Sequence, residues 1–138
     1  MEEETQKAYI DSNIFIYSVT SVEEEGRKSL AILEKISSGK LIGYTSVLTF
    51  DEVFWKLKKV LSLDKALEVT ENMFKMLNLK FLDANMDIVM KAHGIIKQYK
   101  LAPRDSIHAA TCLLNNIPVI ISDDSDFDKL PFPKRKPI

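Results

Sequence analysis

Hydrophobic and polar positions along the chain predict short strands separated by amphipathic helices. Continuous apolar runs at residues 8–10 and 117–121 are typical of strands buried on both faces. Two shorter runs, at residues 41–45 and 79–82, predict further strands. Elsewhere apolar residues recur every three or four positions, which is the spacing of a helix with one buried face. These helices are predicted at residues 23–38, 46–61, 64–77, 86–99 and 103–115.

This order of elements predicts an α/β fold. Strands that alternate with helices favour a parallel sheet covered on both faces. We therefore expect one three-layer α/β/α domain with a mostly parallel central sheet over residues 1–138. The acidic segment 1–7 is expected to be a flexible tail, and the basic, proline-rich segment 131–138 to be partly extended.

Composition narrows the class of protein. The chain has 138 residues with a net charge of -1, so it lacks the basic surplus of a binder that relies on overall charge to hold nucleic acid. No apolar run approaches the roughly 18 residues that span a bilayer, which predicts no membrane segment. The single cysteine, Cys112, excludes an intramolecular disulfide and fits a cytoplasmic location. With only two histidines beside it, a zinc site of the Cys/His kind is not expected.

Four acidic residues occupy the same kind of junction between a strand and a helix. Asp11 follows the first strand, Glu52 lies in the first turns of the helix after the second, and Asp124 follows the last strand. Asp105 lies beside Pro103, a residue favoured at the first helical position. Each alone is better explained as a helix cap, a solvated helix residue or part of a polar turn. Because strand carboxyl ends and helix amino ends share one edge of a parallel sheet, we expect the four to meet in one cleft.

Such a cleft needs cations. Carboxylates that share a site raise one another's pKa values and destabilise the fold unless positive charge neutralises them. Hard divalent ions accept oxygen ligands of this kind, and a pair of them stabilises both the attacking and the leaving oxygen of a phosphoryl displacement. A chain with a slight negative charge would then still bind a polyanion.

Four stretches of the sequence carry a family resemblance. They read YIDSNI (9–14), TSVLTFDEV (45–53), DSIHAA (105–110) and ISDDSDF (121–127). In this order and at these separations, the chain resembles the PIN domain family, and in particular the VapC-type toxins of prokaryotic toxin–antitoxin pairs. The resemblance implies a metal-dependent endoribonuclease that hydrolyses RNA phosphodiester bonds with metal-activated water.

The resemblance also implies roles for individual residues. Asp11, Glu52, Asp105 and Asp124 would be the catalytic set and would hold Mg²⁺ or Mn²⁺. Asn13, Ser122 and Asp126 match supporting positions. Asp123 and Asp126 compete with Asp124 for the fourth acid, and the spacing to Phe127 favours Asp124. His108 is expected to be a helix residue packed beside Ala109 and Cys112 rather than a general base.

The implied partners are an RNA substrate, a VapB-like antitoxin and a second copy of the chain in a homodimer. The helices between residues 46 and 77 carry more large apolar groups than one buried stripe each requires, which makes them the expected interface. Two other functions stay open at this point. One is a housekeeping RNA-processing nuclease of the same fold, and the other is a non-catalytic module that binds RNA or protein.

Overall fold

The computed structural model describes residues 5–138 and contains a five-stranded parallel sheet with helices on both faces. The strand order is β3-β2-β1-β4-β5, and all four strand pairings are parallel. The strands are β1 (Gln6–Ile10), β2 (Leu41–Ser46), β3 (Leu79–Leu82), β4 (Val119–Ile121) and β5 (Lys134–Lys136). The helices are α1 (Ser12–Thr20), α2 (Glu24–Ser37), α3 (Val47–Val60), α4 (Leu63–Lys75), α5 (Met86–Tyr99) and α6 (Pro103–Leu114), with a short 3₁₀ helix at Ser125–Lys129. The predicted three-layer fold is confirmed.

Strand β1 lies at the centre of the sheet and faces a separate core on each side. Ala8 and Ile10 pack into the core formed mainly by α1 to α4. Tyr9, between them in sequence, points to the opposite core, which α5 and α6 cover. Side chains of consecutive strand residues point to opposite faces, so an all-apolar run is what a doubly covered strand requires.

The carboxyl ends of β1, β2 and β4 lie side by side. Tyr9 and Ile10 pair with Ile120 and Ile121, and the Asp11 amide donates to the Ile121 carbonyl at 3.1 Å. Strand β2 flanks β1 on its other side. Helices α1 and α3 begin directly after β1 and β2, so the residues at these junctions all face one edge of the sheet.

Local chemistry fixes where the helices begin. The Ser46 hydroxyl accepts from the Leu48 amide at 2.9 Å and caps α3, as the sequence predicts. Pro103 opens α6, also as predicted. The observed ends of the five predicted helices lie within two residues of the predicted ones.

The segments near both ends of the described range contribute strands to the sheet. The prediction of a tail over residues 1–7 is wrong for Gln6 and Lys7, which pair with Leu41 and Ile42 in the parallel ladder; residues 1–4 lie outside the described range. The basic segment near the carboxyl terminus forms β5, a complete edge strand beside β4. None of the helices in residues 5–138 has the length and apolarity that crossing a bilayer requires.

Two glycines in helices provide a matched test of this packing. A Cβ added at Gly26 in α2 would lie 1.9 Å from the Ser21 carbonyl oxygen, whereas one added at Gly94 in α5 would meet nothing within 4 Å. We expect Gly26→Ala to destabilise the protein by about 1–3 kcal/mol, because the backbone of the α1–α2 turn must move. Gly94→Ala should stabilise it by about 0.5–1 kcal/mol through helix propensity. Denaturant unfolding of both variants checks this; a Gly26→Ala variant as stable as wild type would contradict the close approach.

Candidate active site

The structure brings acidic side chains together at the carboxyl edge of the sheet in two groups. Asp11, Glu52 and His108 each offer a ligand atom within 4.8 Å of the others. Asp105, Asp124 and Asp126 form a second group by the same measure. The two groups are adjacent, because the Ser122 hydroxyl is hydrogen-bonded both to Asp11 and to the Asp124 amide. All four acids chosen from sequence therefore lie in one cleft.

Asp11 is buried and held by three donors. Its carboxylate accepts from the Ser12 amide at 2.8 Å, the Ser122 hydroxyl at 2.6 Å and the Asn13 side-chain amide at 3.4 Å. The capping explanation and the cleft explanation are thus both correct for this residue, since it caps α1 and belongs to the acidic group. Three donors also compensate for taking the carboxylate out of water.

Ser122 connects the two acidic groups. Its hydroxyl donates to Asp11 and accepts from the Asp124 amide at 3.0 Å and from the Asn13 side chain at 3.4 Å. The other side-chain atom of Asn13, Oδ1, is buried without a hydrogen-bond partner among the described residues. An orphaned acceptor beside a buried carboxylate is a position where a cation or its hydration shell completes the bonding.

The pKa of Asp105 is raised to about 7. Burial is the largest cause, followed by the charges of Asp124 and Asp11 and by a hydrogen bond between the Asp105 and Asp124 side chains. This is the behaviour expected of carboxylates that crowd one site without a counter-ion. The donor set therefore fits a divalent cation, which prefers carboxylate and amide oxygens.

The alternatives for the fourth acid separate in the structure. Asp124 is half-buried beside Asp105, and its Oδ1 accepts from the Asp126 amide at 2.9 Å. Asp126 is exposed, yet a carboxylate oxygen of it belongs to the second group; the same residue lies 3.8 Å from the Lys129 ammonium. Asp123 is exposed and accepts from the Tyr17 hydroxyl at 3.0 Å. Asp124 and Asp126 both lie near Asp105, and Asp124 is the half-buried one of the two.

His108 is the site residue that sequence reasoning missed. It is buried as expected, but its Nε2 lies 2.5 Å from Glu52 Oε1 and 3.8 Å from Asp11 Oδ1. Burial would lower its pKa; the hydrogen bond to Glu52 and the charges of Asp11, Glu52 and Asp105 outweigh this, so the pKa is raised. The available signal was spacing, because residues three apart in a helix share a face, and His108 stands three positions after Asp105.

The side chains in this region that could serve as conventional nucleophiles, Ser106 and Cys112, are both buried. The Ser106 hydroxyl is buried and donates to the Leu101 carbonyl at 3.3 Å. Cys112 is fully buried, and burial raises the pKa of its thiol well above the ordinary value. A thiol in that environment is a weak nucleophile. The chemistry of the cleft therefore rests on the carboxylates and on what they bind.

A groove with a volume of about 990 Å³ lies elsewhere on the molecule. It is lined by residues of α2 and of the carboxyl-terminal segment, among them Ile32, Val119 and several lysines. None of the acidic residues of the cleft lines it. The chemistry of the acidic cleft identifies that cleft as the candidate site.

Comparison with known proteins agrees with this arrangement. The family model of the PIN domain matches residues 8–133. Ribonuclease VapC2 of Methanocaldococcus jannaschii is 29% identical over 142 aligned positions, which cover 94% of this chain and 92% of that protein.

Two solved structures have the same fold. Mycobacterium tuberculosis VapC20, a toxin that cleaves the sarcin-ricin loop, superposes with a TM-score of 0.77 at 12% identity, over 91% of this chain and 95% of that one. A chain of Rickettsia felis VapBC2, bound to a DNA fragment from its promoter, gives a TM-score of 0.76 at 11% identity, over 96% of this chain and 99% of that one.

The raised pKa of Asp105 predicts a pH-dependent stability. Its folded-state pKa of about 7 exceeds the unfolded value of about 3.9, so the ionised side chain destabilises the fold above pH 7, and this cost vanishes as pH falls below the unfolded value. In metal-free buffer at pH 8, Asp105→Asn should be more stable than wild type by about 1–2 kcal/mol, a figure discounted because the carboxyl is only part-buried.

Urea unfolding in EDTA at pH 8 and at pH 4 measures this difference. The advantage of Asp105→Asn should shrink toward zero at pH 4. A variant less stable than wild type at pH 8 would instead show that Asp105 serves mainly to anchor the first turn of α6.

Proposed function

We propose that this chain, which belongs to the PIN domain family, is a divalent-metal-dependent endoribonuclease and the toxin of a toxin–antitoxin pair. The observation that carries the proposal is the convergence of Asp11, Glu52, Asp105 and Asp124 on one cleft in which the pKa of Asp105 is raised to about 7. Membership of the family supports the fold and the reaction class, and the relative named above, Ribonuclease VapC2, supports RNA as the substrate.

The four acids would hold Mg²⁺ or Mn²⁺ through carboxylate oxygens. When bound, the cation neutralises the carboxylates and supplies Lewis-acid polarisation of water and of the phosphodiester oxygens. Asp11 is suited to this role because its three donors fix the orientation of its carboxylate. Asp105 and Asp124, which come from α6 and from the loop after β4, would supply further carboxylate oxygens.

The remaining residues orient this set. The Ser122 hydroxyl links two of these acids, because it donates to the Asp11 carboxylate and accepts from the Asp124 amide. Asn13 donates to both Asp11 and Ser122 and leaves Oδ1 without a partner in residues 5–138. Asp126 is exposed and would add a further carboxylate beside Asp105 and Asp124. Water is the attacking species in this proposal, since Ser106 and Cys112 are both buried and the Ser106 hydroxyl donates to a backbone carbonyl.

The first prediction from this proposal concerns metal and the acids. The purified protein should cut single-stranded RNA in Mg²⁺ or Mn²⁺ and lose the activity in excess EDTA. Glu52→Gln, Asp11→Asn and Asp105→Asn should each lower the cleavage rate by at least about 100-fold, the scale at which removal of one electrostatic partner acts in a dry site.

Asp51→Asn is the matched control, since Asp51 is adjacent to Glu52 in α3 but exposed. It should cleave like wild type in a gel assay with end-labelled RNA. Cleavage that persists in EDTA would contradict the metal requirement. Loss of cleavage in Asp51→Asn equal to that in Glu52→Gln would remove the assignment of Glu52.

A surface on α3 and α4 supports the partner part of the proposal. Trp55 on α3 is 59% exposed and Phe74 on α4 is 57% exposed, whereas Met73 is buried. The Phe50 ring makes tilted contacts with the rings of Phe54 and Phe74, with centroid distances of 5.6 and 5.7 Å. We call Phe50, Phe54 and Phe74 the aromatic patch.

The aromatic patch would receive an amphipathic segment of an antitoxin. Exposed apolar clusters of this kind mark protein interaction sites, and a helix can lay its apolar face into such a groove. Side chains two residues apart lie on different faces of a helix, so the bound segment would have to cross the start of α3 for one of its cationic side chains to reach Glu52 in the acidic cleft. The partner would then inhibit by covering the cleft and by taking the place of metal. A second copy of the chain is the other occupant proposed for this surface.

The aromatic patch yields a prediction with its own control. Phe74→Asp should weaken capture of a co-expressed VapB-like partner by at least about tenfold while metal-dependent cleavage persists, because a buried charge disrupts an apolar interface. Met90→Asp changes a residue of similar exposure on α5, at 63%, and should leave capture unchanged.

Co-purification followed by calorimetric titration measures both variants, and light scattering reports whether the free chain dimerises. Equal loss of capture in the two variants would point to general destabilisation. Normal capture by Phe74→Asp would place the partner elsewhere.

A further inference from the structure

Tyr9, His108 and Glu52 form a chain of hydrogen bonds that crosses from the core to the cleft. The Tyr9 hydroxyl lies 2.5 Å from His108 Nδ1, and His108 Nε2 lies 2.5 Å from Glu52 Oε1. Tyr9 and His108 are each 0% exposed. The three residues come from β1, α6 and α3, so the chain joins three separate elements at the point where the acids meet.

The position of the ring hydrogen follows from the partners. Glu52 offers a carboxylate oxygen, which accepts, so Nε2 carries hydrogen and donates to it. The neutral ring then has a bare Nδ1, which accepts from the Tyr9 hydroxyl. If the ring is charged, Nδ1 donates to the phenol oxygen and Nε2 still donates to Glu52. The bond to Glu52 thus has the same donor in either charge state.

Glu52 is the acid of the cleft that most needs such a partner. Its side chain has one more rotatable bond than aspartate, and free rotamers cost conformational entropy when a ligand orders them. Asp11 is already fixed by three donors. Glu52 has His108 as its side-chain hydrogen-bond partner in residues 5–138.

We propose that Tyr9 and His108 are positioning residues that hold the Glu52 carboxylate in the orientation that binds the divalent cation. The inference rests on the proposed function and adds two residues to it. Histidine and its partner would act here on a metal ligand as outer partners do in metal sites generally, where their loss typically costs 10–100-fold in metal affinity or activity.

Exposure argues against His108 as a ligand in its own right. The His108 side chain is 0% exposed, whereas the Glu52 side chain is 16% exposed. A cation that enters from solvent therefore reaches Glu52 first. The Nε2 hydrogen, directed at Glu52, would also have to leave before nitrogen could bind metal.

Mn²⁺ binding, measured by electron paramagnetic resonance in the absence of RNA, tests the proposal. His108→Leu should bind Mn²⁺ about 10–100-fold more weakly than wild type. His108→Gln should recover part of the affinity, because its amide N–H can donate to Glu52. Tyr9→Phe should lose a few-fold, since the ring keeps its place without its outer partner. Excess Mn²⁺ should restore RNA cleavage by His108→Leu, which a merely misfolded variant would not show.

Thermal melts followed by circular dichroism identify any variant that fails to fold. If His108→Leu does not fold, the smaller changes Tyr9→Phe and His108→Gln provide the test.

Mn²⁺ affinity equal to that of wild type in all folded variants overturns the positioning role. Pulsed resonance that detects a directly bonded imidazole nitrogen on wild-type Mn²⁺ also overturns it, because His108 is then a ligand. If the wild type cuts RNA with metal, and the variants equal it in Mn²⁺ affinity and in cleavage, only the positioning role of Tyr9 and His108 is refuted. A wild type that neither binds Mn²⁺ nor cuts RNA refutes the proposed function as well.

Discussion

Asp105 and Asp124 bring carboxylate oxygens within 4.8 Å of each other, and the pKa of Asp105 rises to about 7 because burial and two neighbouring carboxylates oppose its ionisation. In water each carboxylate would be separately solvated. In the cleft they repel one another, and the fold carries this cost above pH 7. In the proposed function, a bound divalent cation offsets this repulsion, because hard cations bind carboxylate oxygens.

The rest of the fold holds the carboxylates in place against that repulsion. Strand β1 is buried between two cores, and Asp11 follows it directly. Moving Asp11 away from the other acids would therefore require strand β1 to leave both cores. Ser122 follows the neighbouring β4 and hydrogen-bonds to Asp11 and to the Asp124 backbone. Helices α3 and α6 bring Glu52 and Asp105, and His108 joins those helices across the cleft. The carboxylates of Asp11, Glu52 and Asp105 are thus carried at the end of a buried strand and on two helices.

The sequence predicted the sheet and the meeting of the acids because both follow from periodicity and parallel topology. Pro103 and Ser46 located the starts of α6 and α3, where local capping chemistry decides. Neither the strand at Lys134–Lys136 nor the exposure of Trp55 follows from periodicity or capping chemistry. A three-residue basic strand becomes regular only because β4 offers it a free edge, and the exposure of Trp55 depends on how α3 and α4 pack. His108 was underestimated because its partners, Tyr9 and Glu52, are distant in sequence.

The melting temperature of the metal-free protein at pH 8, followed as Mn²⁺ is added, tests the central claim most directly. Wild type should start below Asp105→Asn and rise with the logarithm of Mn²⁺ concentration, since a ligand of the folded state stabilises it by mass action. Asp105→Asn should rise less, having lost both the repulsion and a ligand, so the two curves should converge and cross. Parallel curves, or a wild-type melting temperature that Mn²⁺ leaves unchanged, would contradict the account of this cleft as a cation site.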